Sequence, residues 1–191
     1  MSDFIYHTTE TSANEAAKVL SDIKEGIGFV PNIFAIIAES TPALRGLVTL
    51  NDEYSHSSFS AEEQQIILIT TSTVNECIYC VAGHTAFAEK IKMPSEIITS
   101  MRNQESTANH NYNVLATTVR QLIEHKGRVS QEIINNFINA GFSKAQFLEL
   151  VMGICVKTFT NYVSNALNVE LDEAFKPYAW QRPSDVKQQV A

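Results

Sequence analysis

Ser60-Ala61-Glu62-Glu63-Gln64-Gln65-Ile66-Ile67-Leu68-Ile69 can be read in two ways, and the choice decides the fold. Four consecutive aliphatic residues, Ile66 to Ile69, have the composition of a buried strand. Ser60 and Glu63, however, stand at the two ends of a capping box, in which each side chain satisfies the other's orphan backbone amide. The run also continues through Thr70 to Val74. A helix, apolar on all sides for a turn and therefore buried, is the better reading.

The same logic extends outward. Glycine and proline total only 7 and 5 of 191 residues, and the apolar spacing throughout is helical, which predicts an all-α chain. Ala16, Ala17, Leu20 and Ile23 form a stripe between Ser12 and Lys24 that Gly26 and Gly28 end. Val30-Pro31-Asn32 and Ser40-Thr41-Pro42 each precede a short apolar segment, Ile33 to Ala38 and Leu44 to Leu50. Met93-Pro94-Ser95 stops one helix and begins another, Gln104 to Asn111 reads as a loop, and a helix follows from about Tyr112 to His125. Ser130 introduces a helix that Gly141 ends. A second capping box, Ser143 to Gln146, opens a long last helix with Phe147, Val151, Ile154, Cys155, Phe159, Tyr162, Val163 and Ala166 as its apolar face. We expect a single domain over 1-191, with an N-terminal helical lobe (1-58), a core (59-175) and a C-terminal tail (176-191).

Directly after the first stretch comes Asn75-Glu76-Cys77-Ile78-Tyr79-Cys80-Val81-Ala82-Gly83-His84. With Asn75 as the N-cap, a helix through these residues places Cys77, Cys80 and His84 on one stripe. A thiol pair close enough to form a disulfide, with an imidazole one turn past the second sulfur, suits thiol redox chemistry. The helix N-terminus and the imidazole both favour the reactive thiolate. A zinc reading needs Cys155, His56, His110 or His125 as fourth ligand, and nothing with metal-ligand spacing follows. A purely structural bridge across so short a loop removes little unfolded-chain entropy. Haem attachment requires His where Val81 stands.

Charge and composition narrow the partners. With 14 Lys and Arg against 21 Asp and Glu, the net charge of −7 invites neither nucleic acid nor an anionic membrane surface. No apolar run approaches the ~18 residues of a membrane span, and Met1-Ser2-Asp3-Phe4 does not open a signal peptide. A cytoplasmic protein is expected. In a reducing compartment, 3 cysteines point to reversible chemistry rather than a disulfide framework.

The stretch Cys77 to His84 resembles the carboxymuconolactone decarboxylase superfamily, in its alkylhydroperoxidase D-like, peroxidase-related branch. Gly28-Phe29-Val30-Pro31-Asn32, Ser40 to Leu44, Phe59 to Glu63 and Lys157 to Val163 resemble other segments of that branch, so the likeness spans roughly residues 26 to 175. The resemblance implies a helical alkylhydroperoxidase D-like fold assembled into homotrimers or homohexamers, with no cofactor and no metal. It implies a hydroperoxide substrate, an external dithiol reductant that is small or a protein, and a part in antioxidant defence. By position, Cys80 attacks the peroxide, Cys77 resolves the sulfenic acid as a disulfide, and His84 assists proton movement. Two relay positions differ: Gln65 stands where the family has Glu, and Tyr79 where its best-known peroxidases have His. A non-enzymatic redox sensor or assembly protein remains open. So does the decarboxylase or lactone chemistry of the founding members, which needs no Cys pair.

Several residues carry individual expectations. Gln65 either orients a water or bonds to backbone, and Tyr79 is better read as packing than as a donor. Asn161 is structural, Cys155 an inert core thiol, Trp180 an anchor for the tail, and His56, His110 and His125 lie on the surface. The late helix with Phe175, Tyr178 and Trp180 is expected to form a subunit interface.

Overall fold

The structure, a computed structural model, describes residues 4–182 and 185. Among the described residues there are nine α-helices and no strand. They are α1 (Asn14–Ile27), α2 (Asn32–Ile37), α3 (Thr41–Ser55), α4 (Ala61–Val74), α5 (Ile78–Lys90), α6 (Ser95–Asn103), α7 (His110–Glu124), α8 (Gln131–Asn139) and α9 (Lys144–Leu167). A 3-10 turn, Lys176–Tyr178, follows. No helix among them is long and apolar enough to cross a membrane. The polar tail beyond Trp180 lies largely outside the described residues.

The stretch that decides the fold forms its centre. α4 packs against α5, α6, α7 and α9, and every residue from Ile66 to Thr73 is buried. Its capping box is complete: Ser60 Oγ accepts from Glu63 N at 3.2 Å, and Glu63 Oε2 accepts from Ser60 N at 2.8 Å. Hydroxyls tolerate this burial because they bond back to their own helix, Thr71 to Ile67 O and Ser72 to Leu68 O at 2.7 Å each. The second capping box, at Ser143 and Gln146, is also formed.

The turn from α4 to α5 departs from the sequence expectation. Asn75 is not the N-cap of α5 but the C-cap of α4; Glu76 follows with φ 50, and Cys77 is the N-cap. The physical reason lies on α9. Asn75 Nδ2 donates to Asn161 Oδ1 at 3.0 Å, Asn165 Nδ2 donates to Asn75 O at 2.8 Å, and Asn161 Nδ2 reaches Ser72 Oγ at 3.3 Å. Asn161, fully buried, is therefore the structural residue expected, and the turn is held to α9 by side-chain amides.

Of the apolar face expected for α9, Phe147, Ile154 and Val163 pack partly against the core, and the rest faces outward. The buried face of α9 is Leu150, Gly153, Val156, Lys157, Thr160, Asn161 and Ser164. Leu148 is 71 % exposed and Tyr162 63 %, with Val151, Cys155 and Phe159 also outward. Cys155 is thus an exposed thiol rather than a core one. The polar residues face inward because they bond to the α4–α5 turn and to the thiols, which leaves an apolar face outside. Phe175 and Trp180, expected at an interface, are instead buried within the chain. The Trp180 indole donates to Arg102 O at 3.1 Å and anchors this segment, as expected.

Close approach between α3 and α9 needs a residue without a side chain. A Cβ at Gly153 would meet Tyr54 Cε2 at 2.4 Å, so the buried Tyr54 ring would have to shift from its packed position. Gly153→Ala is expected to lower stability by about 1–3 kcal/mol, read as a fall in the urea midpoint; an unchanged midpoint would show that the ring relocates freely.

Candidate functional site

Cys77 closes the turn and caps α5. Its Sγ accepts from Cys80 N at 3.3 Å, so the sulfur sits at the positive end of the helix, and it is fully buried. Cys80, one turn along, lies on the wall of a cavity of about 260 Å³. His84 lines the same cavity one further turn on, and Lys157 and Thr160 reach it from α9. Phe34, Phe87 and Phe175 supply much of its apolar surface. A larger open crevice between α1 and α3 is lined by neither thiol nor imidazole.

The three cysteines are free thiols. The paired ones differ in acidity. The Cys80 thiol donating to it draws the Cys77 pKa down to about 6, against the cost of burial, with help from the Ser164 hydroxyl, the Cys80 amide and the Lys157 charge. Cys80 moves the other way: burial and its hydrogen bond to Cys77 push it well above the ordinary thiol value. Helix position and His84 made Cys80 the expected thiolate, whereas the geometry separates the two properties. Cys77 is the sulfur whose surroundings favour the thiolate, and Cys80 is the one that lines the cavity.

Burial lowers the His84 pKa well below its usual value, and Lys157 lowers it further, so the imidazole is neutral at pH 7. Its Nδ1 lies 2.9 Å from Gln65 Oε1. An amide oxygen can only accept, so Nδ1 carries the proton and Nε2 is left with a free lone pair. Gln65 therefore neither binds backbone nor stands apart: it sets the tautomer of His84.

Tyr79 has both hydrogen bonds of its hydroxyl taken. It donates to Asp172 Oδ2 at 2.5 Å and accepts from Ile33 N at 3.3 Å. That makes it a strut rather than the relay residue its position suggested. Asp172 also accepts from Asn32 N at 3.1 Å, so one carboxylate joins the start of α2 to α5. Phe175, just beyond, packs its ring edge-on against Phe29, Tyr79 and Phe87. It lies so close over Gly83 that a Cβ there would approach it to 3.3 Å.

Lys157 is the residue that sequence reasoning missed. It is 8 % exposed and is absent from the three ion pairs of the described residues. No Asp or Glu lines the cavity it faces. Its signal was legible: between Glu149 and Glu170 it is the only charged side chain. His56, His110 and His125 are exposed, as expected. Among the described residues no three His, Cys, Asp or Glu side chains group as metal ligands, and Cys155 is on the outward face of α9.

No family model matches the sequence, and no curated protein matches it. Solved structures do match in fold. An uncharacterized peroxidase-related protein from Ralstonia eutropha JMP134, described as an alkylhydroperoxidase AhpD core, superposes with a TM-score of 0.82 at 15 % identity, over 90 % of this chain and 93 % of its own. A peroxidase-related protein from Silicibacter sp. TM1040 gives 0.77 at 16 % identity, over 85 % and 87 %. A cysteine-to-alanine variant of the debrominase Bmp8 in complex with 2,3,4-tribromopyrrole gives 0.73 at 13 % identity, over 84 % and 87 %. The chain has the all-helical AhpD-like fold.

The split acidity has a direct readout. Thiolate absorbance of the reduced protein should show one thiolate forming with a midpoint about 6, belonging to the pair as a unit. Cys80→Ala removes the donor to Cys77, and Lys157→Met removes the cation, so each should raise that midpoint. A midpoint near the ordinary value of about 8.5 in the unsubstituted protein would refute the assignment.

Proposed function

We propose that the protein is a thiol-dependent, peroxidase-like oxidoreductase that reduces hydroperoxides through Cys77 and Cys80, assisted by His84, in antioxidant defence. The observation that carries this reading is the division of labour between the sulfurs: Cys80 lines the cavity with His84, while the buried Cys77 behind it is the favoured thiolate. The fold alone would not carry it, since a debrominase shares that fold.

In this reading the Cys80 proton passes to the Cys77 sulfur to which it is already hydrogen-bonded. The Cys80 thiolate then attacks the distal oxygen of ROOH; an S–O bond forms and the O–O bond breaks. His84, through Nε2, relays a solvent proton to the departing alkoxide, which leaves as ROH, and the Cys77 proton is released to solvent. Cys77, again a thiolate, attacks the Cys80 sulfenic acid, and the expelled hydroxide takes up a solvent proton. The resulting disulfide is reduced by an external dithiol, small or protein-borne. Gln65 acts as a positioning residue by fixing the His84 tautomer.

We also propose that the chain assembles as a homotrimer or homohexamer through the outward face of α9. What supports this is the exposure of Leu148, Val151, Phe159 and Tyr162 on one long helix, more apolar surface than an isolated helix ordinarily leaves in water.

Treatment of Cys77→Ser with a hydroperoxide should leave a sulfenic acid on Cys80 that dimedone traps, while Cys80→Ser should give no adduct and no peroxide consumption. An adduct on Cys77 in the Cys80→Ser protein would exchange the roles. Unchanged thiol oxidation without catalytic peroxide loss in the unsubstituted protein would favour a redox sensor. For assembly, light scattering at micromolar concentration should give a multiple of 21.2 kDa, lowered by Leu148→Glu. A mass of one chain would remove the oligomer from the account.

A further inference from the structure

Lys157 occupies an unusual electrostatic position. A buried ammonium is costly unless a negative charge or a set of acceptors compensates it. Lys157 forms none of the ion pairs among the described residues, and no carboxylate shares its cavity. Its charge is felt at Cys77, Cys80 and His84. Of these, His84 carries no negative charge in any state, so, with no Asp or Glu among the described residues lining the cavity, the thiol pair is the source of an anion there.

That source disappears on oxidation. The reduced pair holds one proton and one negative charge. In the overall step, Cys77–S⁻, HS–Cys80, ROOH and one solvent proton give the disulfide, ROH and water. The two sulfurs lose two electrons to the peroxide oxygens, and the site changes from one negative charge to none. Lys157 then faces a largely apolar cavity of about 260 Å³ with no counter-charge.

We propose that the disulfide form of this cavity is a binding site for a small monoanion with an apolar, ring-sized body, such as an aromatic carboxylate, and that reduction of the Cys pair weakens the site. Lys157 supplies the ion pair, and Phe34, Phe87 and Phe175 supply the apolar contacts. In the reduced form the thiolate already compensates Lys157, so an added anion gains little there and meets repulsion from the sulfur. By linkage, the anion holds the pair oxidised as strongly as oxidation favours the anion. A carboxylate-bearing product or reductant would therefore bind at the stage of the cycle that follows peroxide reduction. This inference rests on the redox pair of the proposed function, but its binding arm needs no turnover.

The test is calorimetric titration of the protein with benzoate and with benzamide, its neutral counterpart. The protein is used after oxidation with diamide and after reduction with dithiothreitol, itself uncharged. We expect benzoate to bind the oxidised form at least about tenfold more tightly than the reduced form, and more tightly than benzamide. The preference should vanish in Lys157→Met and return in part in Lys157→Arg. A Cys77→Ala/Cys80→Ala variant, which has no thiolate at any potential, should bind benzoate like the oxidised form. Equal benzoate affinity in both redox forms, or a preference that survives Lys157→Met, overturns the inference. If diamide forms no disulfide, the redox reading of the site falls, and the double variant still decides the anion site: benzoate binding that depends on Lys157 upholds it, and none removes it. If benzoate binds as expected while no hydroperoxide is consumed, the peroxidase reading fails and the anion site stands.

Discussion

Three amide side chains, two from α9 and one from the turn itself, hold the corner on which the chemistry turns. Asn161 and Asn165 on α9 grip Asn75 in the turn between α4 and α5, and Asn161 also reaches Ser72. The turn needs that grip because Glu76 adopts a positive φ that an L-residue does not favour. Each such bond contributes about 1 kcal/mol net, yet a buried amide left without a partner costs about 1–3 kcal/mol, so the network holds as a unit. The placement of Cys77 follows from it. Because the chain leaves α4 sharply, Cys77 is outside α5 and caps it, with its sulfur against the helix N-terminus.

The charge economy of the site is as spare as its geometry. One thiolate and one ammonium account for it, with the imidazole held neutral by burial. Gln65 belongs to that economy. A carboxylate in its place would accept from the same His84 nitrogen, raise the imidazole pKa and bring a second negative charge toward the sulfurs. The amide fixes the ring without doing either, so proton traffic falls to His84 and the thiols alone.

How much of this was legible in the sequence depended on how local the cause was. The capping boxes at Ser60 and Ser143 and the apolar core of α4 are set by near neighbours, and they were read correctly. Of the stripe expected for Cys77, Cys80 and His84, the last two share a cavity wall, while Cys77 lies outside α5 as its N-cap. Asn75 was misassigned because its partners lie 86 and 90 residues away on α9. Periodicity marks the apolar side of α9 but leaves core and interface both open; that polar side chains are needed inside is written only in the tertiary network. Tyr79 and Asp172, 93 residues apart, carry no mutual signal in one sequence.

The cavity is closed by residues made well after its thiols. Phe175 covers Gly83, and Asp172 bonds to Asn32 across 140 residues, so contacts of very long sequence separation complete a site whose two sulfurs are only three residues apart. Contacts of that kind form late, since loop closure must precede them. During synthesis the two thiols emerge as an ordinary pair, without α9 and its lysine and without the phenylalanine roof. The part of their acidity owed to Ser164 and Lys157 therefore comes into being only once α9 has docked. A nascent or partly unfolded molecule has the motif but only part of the chemistry, which makes thiol acidity itself a reporter of α9 docking.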